Sequence, residues 1–233
     1  MIDGNQEQMS SCTISHFQCR CFEKLTPEQH ALADAHSVIV KYKKRENIFK
    51  QGGLASNVLF VEKGLVKIYV EKGDNSLVMM LVPEGSLLGL ASLSEEYNTY
   101  QYSAMTYIDS EIRQIDVKVF RRLISENSSF AKDIIDKIIS DKLQVYGRFF
   151  CLTHKQAFGT VADIIMCLSN RIFKSRDFDL PLSRKDLAEL TGMSQETVIR
   201  ILRKFSDDKL IQMDGKRFRV LDHHRLTQIS ENG

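Results

Sequence analysis

The stretch Ser183-Arg184-Lys185-Asp186-Leu187-Ala188-Glu189-Leu190-Thr191-Gly192-Met193-Ser194-Gln195-Glu196-Thr197-Val198-Ile199-Arg200-Ile201-Leu202-Arg203-Lys204-Phe205 is the most specific passage in this chain of 233 residues. Ser183 stands where a helix N-cap belongs, and Leu187, Ala188 and Leu190 give the helix after it an apolar side. Gly192 supplies the left-handed turn that ends such a helix. Ser194 caps a second helix, in which Val198, Ile201, Leu202 and Phe205 recur at helical spacing as a buried face. Gln195, Glu196, Ile199, Arg200 and Arg203 fall on the opposite face, where an amide, a carboxylate and guanidinium groups can address base edges. With Ser183, Arg184, Ser194 and Thr197 at the two helix starts, these residues are the candidate DNA contacts. Leu210 to Met213, Asp214-Gly215 and Arg217 to Leu221 read as a hairpin, a wing whose Lys216 and Arg217 suit phosphates. A plain packed helix pair needs the apolar faces alone. Two capped helices, a glycine turn, an Arg-rich outward face and a basic wing together point to DNA.

Upstream, residues 155–173 read as a helix and 178–182 as a short strand. Residues 128–152 have helical period, with no Pro and no Gly before Gly147. Ile135, Ile138, Lys142, Val145, Phe149 and Leu152 step by three and four as a heptad seam, and Ile139, Leu143, Tyr146 and Phe150 form a second stripe beside it. Two stripes need two partners. One arrangement puts one stripe on a neighbouring domain and the other on the same helix of a second subunit; the alternative is a single helix buried within one chain. Lys142 is expensive inside a monomer core and tolerable in a short coiled coil.

Between Tyr42 and Ile115 the texture changes to short β-rich runs, such as Leu65 to Val70 and Leu77 to Val82. Six of the twelve glycines fall there, at spacings expected of hairpins in a compact antiparallel barrel or sandwich. Ahead of it, Thr26-Pro27-Glu28-Gln29 carries the marks of a capped helix start.

Hydrophobic content of 43% and charged content of 27% are those of a folded globular chain. Residues 1–152 carry 18 basic and 19 acidic side chains and residues 153–233 carry 14 and 11, which fits nucleic-acid contact by the second half. No secretion signal and no membrane-length apolar run is present, so a cytoplasmic protein with no membrane partner is expected. Cys12, Cys19, Cys21, Cys151 and Cys167 have no framework spacing and are expected as reduced thiols. The six histidines all lie outside residues 37–153, which argues against a metal enzyme built in the β region, and no catalytic motif appears; His223-His224 are expected on a solvated C-terminal segment. An enzyme is therefore not expected. A binding module that meets only protein partners is the remaining rival, separable by DNA retention and footprinting.

Leu187-Ala188 through Gly192, Ser194-x-Glu196-Thr197-Val198-x-Arg200-x-Leu202, the Gly215-Lys216 turn and Gly64, Gly85 and Gly89 resemble the CRP/FNR superfamily of bacterial transcription regulators. The resemblance covers most of the chain. It implies a cyclic-nucleotide-binding-type jelly roll, a dimerisation helix, and base reading by Glu196 and Arg200. It also places an effector pocket at Gly85, Gly89, Leu90, Tyr102 and Ser103. Members that bind cyclic AMP carry a Glu after the second glycine and an Arg-Ser pair downstream; here Leu90 and Tyr102-Ser103 stand in those places. Without the ribose acceptor and the phosphate cation, a buried cyclic nucleotide would keep an unpaired charge, so cyclic AMP is not the expected signal. The oxygen-sensing branch holds an iron-sulfur cluster on four cysteines. Cys12, Cys19 and Cys21 are spaced differently and no cysteine lies between Cys21 and Cys151, so neither that cluster nor zinc is expected, although a divergent redox or zinc site with His16 stays open.

The expected fold is thus α+β. An N-terminal arm and jelly-roll sensor occupy residues 1–126, a dimerisation helix 127–153 and a winged helix-turn-helix 154–233. The expected partners are double-stranded DNA as an inverted repeat, a second copy of the chain, and RNA polymerase. An unidentified small effector is compatible with the barrel, and so is a pocket filled by its own side chains, Leu87, Leu88, Leu90 and Leu93 being candidates.

Overall fold

Thr26 accepts the Gln29 N–H on its hydroxyl and returns its own N–H to the Gln29 carboxamide, which starts α1 (Pro27–Ala35) where the local sequence indicates. In this computed structural model, which describes residues 19–73 and 75–233, eight strands follow α1 and its turn. They are β1 (Ser37–Tyr42), β2 (Asn47–Phe49), β3 (Asn57–Lys63), β4 (Leu65–Lys72), β5 (Asn75–Pro83), β6 (Leu87–Leu88), β7 (Ser103–Thr106) and β8 (Ser110–Asp116). Two antiparallel sheets result, ordered β1-β8-β3-β6 and β2-β7-β4-β5. This is the jelly roll. Alternate residues of each strand meet between the sheets, Leu59, Val61, Val66, Val82, Ala104 and Ile112 among them. At Gly64, between β3 and β4, φ is +119° and a Cβ would run into Ser110, so only glycine makes that corner.

Asp116 ends β8 and caps α2 (Val117–Glu126), accepting the Lys118 N–H at 2.7 Å and the Val119 N–H at 3.3 Å. Asn127 then caps α3 (Ser128–His154), accepting the Phe130 N–H at 2.9 Å. Here the sequence reading needs correction. Neither apolar stripe of α3 forms the main contact with the barrel: Ile135, Ile138, Ile139, Leu143, Tyr146, Phe149 and Phe150 are all exposed, and only Val145 tucks partly against the barrel core. A third face is buried instead, formed by Phe130, Ile134, Lys137, Gln144, Arg148 and Cys151. Lys137 reaches Asp141 one turn on, and Arg148 reaches backbone carbonyls, so polar side chains fill positions that periodicity assigns to solvent.

The helix expected at 155–173 is α4 (Ala157–Cys167) closed by a wide π-helical turn at Leu168–Ile172. Beyond it lie β9 (Asp177–Asp179), α5 (Arg184–Thr191), α6 (Gln195–Asp207), β10 (Ile211–Asp214), β11 (Arg217–Val220) and α7 (His223–Asn232). His223 and His224 open α7, capped by Asp222 and anchored by buried Leu226, with His224 exposed and His223 half-buried, in keeping with the solvated C-terminal segment expected for them. One hydrophobic core joins the two halves, combining Val161, Ile165, Leu190 and Ile201 with Leu65, Tyr69, Val78 and Tyr107 of the barrel. The helix-turn-helix unit therefore packs directly on the outer face of the β2-β7-β4-β5 sheet.

Candidate nucleic-acid interface

α5 and α6 are held at their starts by their own side chains. Ser183 Oγ accepts the Asp186 N–H at 3.2 Å, and Asp186 Oδ2 takes the Ser183 N–H at 2.7 Å. Gly192, at φ +67°, ends α5. Ser194 Oγ accepts the Thr197 N–H at 3.2 Å to begin α6. Val198, Ile201, Leu202 and Phe205 of α6 are buried, so Gln195, Glu196, Arg200 and Arg203 stand outward and exposed, with Ile199 half-buried between them. A shallow depression of about 500 Å³ runs along this face from Glu196 to Asp207. The Glu196 carboxyl is held below the usual carboxylate range by its own backbone N–H and the Ser194 hydroxyl. It is therefore ionised at neutral pH. No ion pair joins Glu196 to Arg200 among the described residues.

The wing is the β10-β11 hairpin with β9 on its other side. Its two-residue turn is Gly215-Lys216, with Gly215 at φ +58° and Lys216 exposed. Arg217 behaves differently from a free wing cation. It is paired with Asp177 at 2.5 Å and lies 3.6 Å from Asp179, while Arg219 reaches Asp177 at 3.0 Å. The Arg217 hydrogen bond is the largest cause holding the Asp177 carboxyl below its ordinary range. Arg184 is folded over the Met213 sulfur at 3.2 Å and half-buried, and desolvation lowers its affinity for a proton. Sequence reasoning missed these carboxylate partners. The signal was present as Asp-Phe-Asp at 177–179 opposite Arg-Phe-Arg at 217–219.

In the expected effector pocket, the structure brings together Gly89 and Tyr102. Gly89, at φ +78°, donates its N–H to the Tyr102 hydroxyl at 2.8 Å. Tyr102 lies 5.6 Å from the Phe49 ring, which stacks on Tyr100 at 3.9 Å. Burial drives the Tyr102 phenol well above its usual pKa. Ser103, one residue on, faces the other way: it sits opposite Tyr69 on the sheet's outer face, where its hydroxyl accepts the Gln51 N–H and donates to Glu71. Leu90 joins a different cluster, with Leu25, Val58 and Phe120. Gly85 closes a turn, donating its N–H to Val61 and accepting that of Cys19.

Cys12 lies outside the described residues. Cys19 and Cys21 are buried in the cluster beneath α2 and are joined as a disulfide, which corrects the expectation of reduced thiols at this pair. Cys151 is a free thiol buried beside Asp163. Among the described residues no group of three or more His, Cys, Asp or Glu side chains is placed to hold a metal ion. No helix among them is long and apolar enough to cross a membrane.

Two family models match the chain: a cyclic nucleotide-binding domain over residues 39–127 and a Crp-like helix-turn-helix domain over residues 161–229. The chain belongs to the CRP/FNR superfamily. As such it is a transcription regulator with a helix-turn-helix and a cyclic-nucleotide-binding-type domain. Among superfamily relatives, electron transport regulator A of Shewanella oneidensis is 25% identical over 195 residues, covering 81% of this chain and 77% of that protein. The cAMP-activated global transcriptional regulator CRP of Salmonella typhimurium is 25% identical over 190 residues, covering 78% and 89%. FixK2 from Bradyrhizobium japonicum shares the fold, with a TM-score of 0.76 at 20% identity, over 83% of this chain and 96% of that one.

Proposed function

We propose that the protein binds an inverted-repeat operator as a homodimer, reading bases with the outward face of α6 and answering to a signal other than cyclic AMP. The observation that carries this reading is the division of α6 into a fully buried apolar side and an exposed side bearing Gln195, Glu196, Arg200 and Arg203. Packing explains the first side and not the second. Arg200 is suited to donate two hydrogen bonds to a guanine, Glu196 to accept from a cytosine amino group, and Ile199 to touch a thymine methyl. Ser183, Ser194, Gln195, Thr197, Arg203 and Lys216 address the backbone and flanking edges, and Arg184 and Arg217 reach phosphates once they exchange Met213 and Asp177 for DNA.

The exposed apolar face of α3 supports the dimer, with Ile135, Ile138 and Phe149 in the seam beside Lys142, Val145 and Leu152. An isologous pairing of two such helices covers residues that a monomer leaves in water. The reading against cyclic AMP rests on Leu90 and Tyr102, which stand where the superfamily pattern has the ribose acceptor and the phosphate cation. A regulator of this kind works in the cytoplasm, alongside RNA polymerase.

Selection of bound sequences from a random DNA pool, with the purified protein in air and without oxygen, tests this. The expected product is a palindrome with half-sites about 34 Å apart. Recovery of no enriched sequence under either condition overturns it.

A further inference from the structure

α5 is gripped along its whole length by cations from outside its own domain. At its start, Arg45 Nη2 lies 3.2 Å from Ser183 Oγ and 3.3 Å from Asp186 Oδ2, and Lys44 Nζ donates to the Pro181 carbonyl at 2.9 Å. Midway, Lys67 Nζ pairs with Glu189 at 2.6 Å, and the lysine is buried between the Tyr69 and Tyr107 rings. At its end, Arg148 of α3 donates to the Leu190 carbonyl and, at 3.2 Å, to the Val78 carbonyl of β5. Residues from the β1-β2 loop, β4 and the long helix thus converge on one helix of the DNA-binding unit.

The contacts at the start of α5 cover the groups that DNA needs. A helix N-terminus offers N–H donors to a phosphate, and Ser183 and Arg184 flank it. Here the β1-β2 loop occupies that approach, and Arg184 is turned onto Met213. The grip is also imperfect. Arg45 itself sits at φ +67°, a left-handed conformation that a non-glycine residue adopts under strain. Arg148 Nε and Nη1 and the Tyr107 hydroxyl are buried without a hydrogen-bond partner among the described residues. Such an interface holds, but it stores the means of its own release.

We propose that this interface is an autoinhibitory latch: Arg45, Lys67 and Arg148 dock α5 on the sensor barrel in a resting state, and DNA binding requires the latch to open. The proposal rests on the helix-turn-helix being the DNA-reading element. Arg45 and Lys67 lie in the barrel, outside the DNA-contacting set, so substituting them separates the two ideas.

The test compares the wild type with Arg45→Ala and Lys67→Met on the operator selected above, with hydrogen exchange of α5 measured in free protein. If the latched form makes up about nine-tenths of the free protein, its release tightens apparent affinity about tenfold. Both variants should bind more tightly with unchanged base preference, and the amides of residues 183–187 should exchange faster. Weaker binding by Arg45→Ala would make Arg45 a phosphate contact and overturn the latch, as would unchanged affinity and exchange in both variants. Failure of the wild type to bind any sequence is a different result, and counts against the DNA-reading element itself. The midpoint of thermal unfolding of each variant distinguishes undocking from unfolding, since exposed Arg45 can be truncated without opening either core.

Discussion

The N–H of Gly89 donates at 2.8 Å to the hydroxyl of Tyr102, 13 positions further along the chain. The superfamily resemblance implies a ribose-binding Glu at position 90 and a phosphate-binding Arg at position 102, where this chain has Leu90 and Tyr102. The Tyr102 hydroxyl here accepts from within the protein, its ring tilted at 5.6 Å from that of Phe49, which in turn stacks on Tyr100. Cyclic AMP would have to displace a neutral phenol and gain no cation in exchange.

It follows that cyclic AMP should leave the thermal midpoint unchanged. A ligand at a hundred times its dissociation constant stabilises a fold by about 2.7 kcal/mol, which thermal unfolding detects readily. A clear upward shift with millimolar cyclic AMP would refute the assignment of this pocket.

Base reading and backbone contact are expected to separate by mutation. Arg200→Ala should cost about 1–3 kcal/mol and relax preference at one symmetric position of the operator. Lys216→Ala, at the tip of the wing, should weaken all sequences alike and lower the salt slope by about one. Binding selections with both variants check this; an Arg200→Ala protein with wild-type preference at every position removes α6 from the reading role.

Assembly is tested on α3. Ile138 and Phe149 are 43% and 68% exposed in the single chain, so an aspartate at either is harmless to a monomer and ruinous to a seam. Ile138→Asp or Phe149→Asp should shift the sedimenting species from dimer to monomer, because a buried unpaired carboxylate costs several kcal/mol. A wild-type monomer at micromolar concentration, free and on DNA, is the contrary result.

The Asp177 pairing makes a prediction in pH. Its carboxyl is lowered in the folded state by Arg217, so the pairing contributes fully above the ordinary carboxylate pKa of about 3.9 and is lost as pH falls through the lower folded value. Carboxyl chemical shifts followed from pH 6 downward should therefore show Asp177 titrating late, and Arg217→Ala should return it toward the ordinary range. Asp177→Asn, by removing the nearer of Arg217's two carboxylate partners at neutral pH, should raise non-specific DNA affinity and steepen its salt dependence by up to about one unit. An unaltered salt slope would mean that Arg217 never reaches the phosphates.

Local sequence was enough wherever a structure closes on its own neighbours. The Thr26 capping box, the Ser183 cap, the Gly192 turn and the buried face of α6 all depend on near neighbours in sequence, and each appears where spacing places it. The hairpin wing and the glycine-punctuated strands were legible for the same reason. α2 was not, because Val117 to Glu126 continues from β8 without a Gly or Pro break, and only the Asp116 cap marks its start.

What faces what across the molecule was decided by tertiary structure alone. Helical period showed two apolar stripes on α3, yet the buried face is the one carrying Phe130, Ile134, Lys137 and Arg148, where Lys137 meets Asp141 and Arg148 meets backbone carbonyls of β5 and α5. The register of β7 put Ser103 opposite Tyr69 on the sheet's outer face, while Tyr102, just ahead of the strand, turns to Gly89 and Phe49, splitting a pair that adjacency in sequence suggests as one site. The pairing of Arg217 with Asp177, and the docking of Arg45 and Lys67 on α5, join residues from 40 to more than 130 positions apart. Periodicity records which side chains avoid water; it carries no record of which distant charge will meet them once the chain has closed.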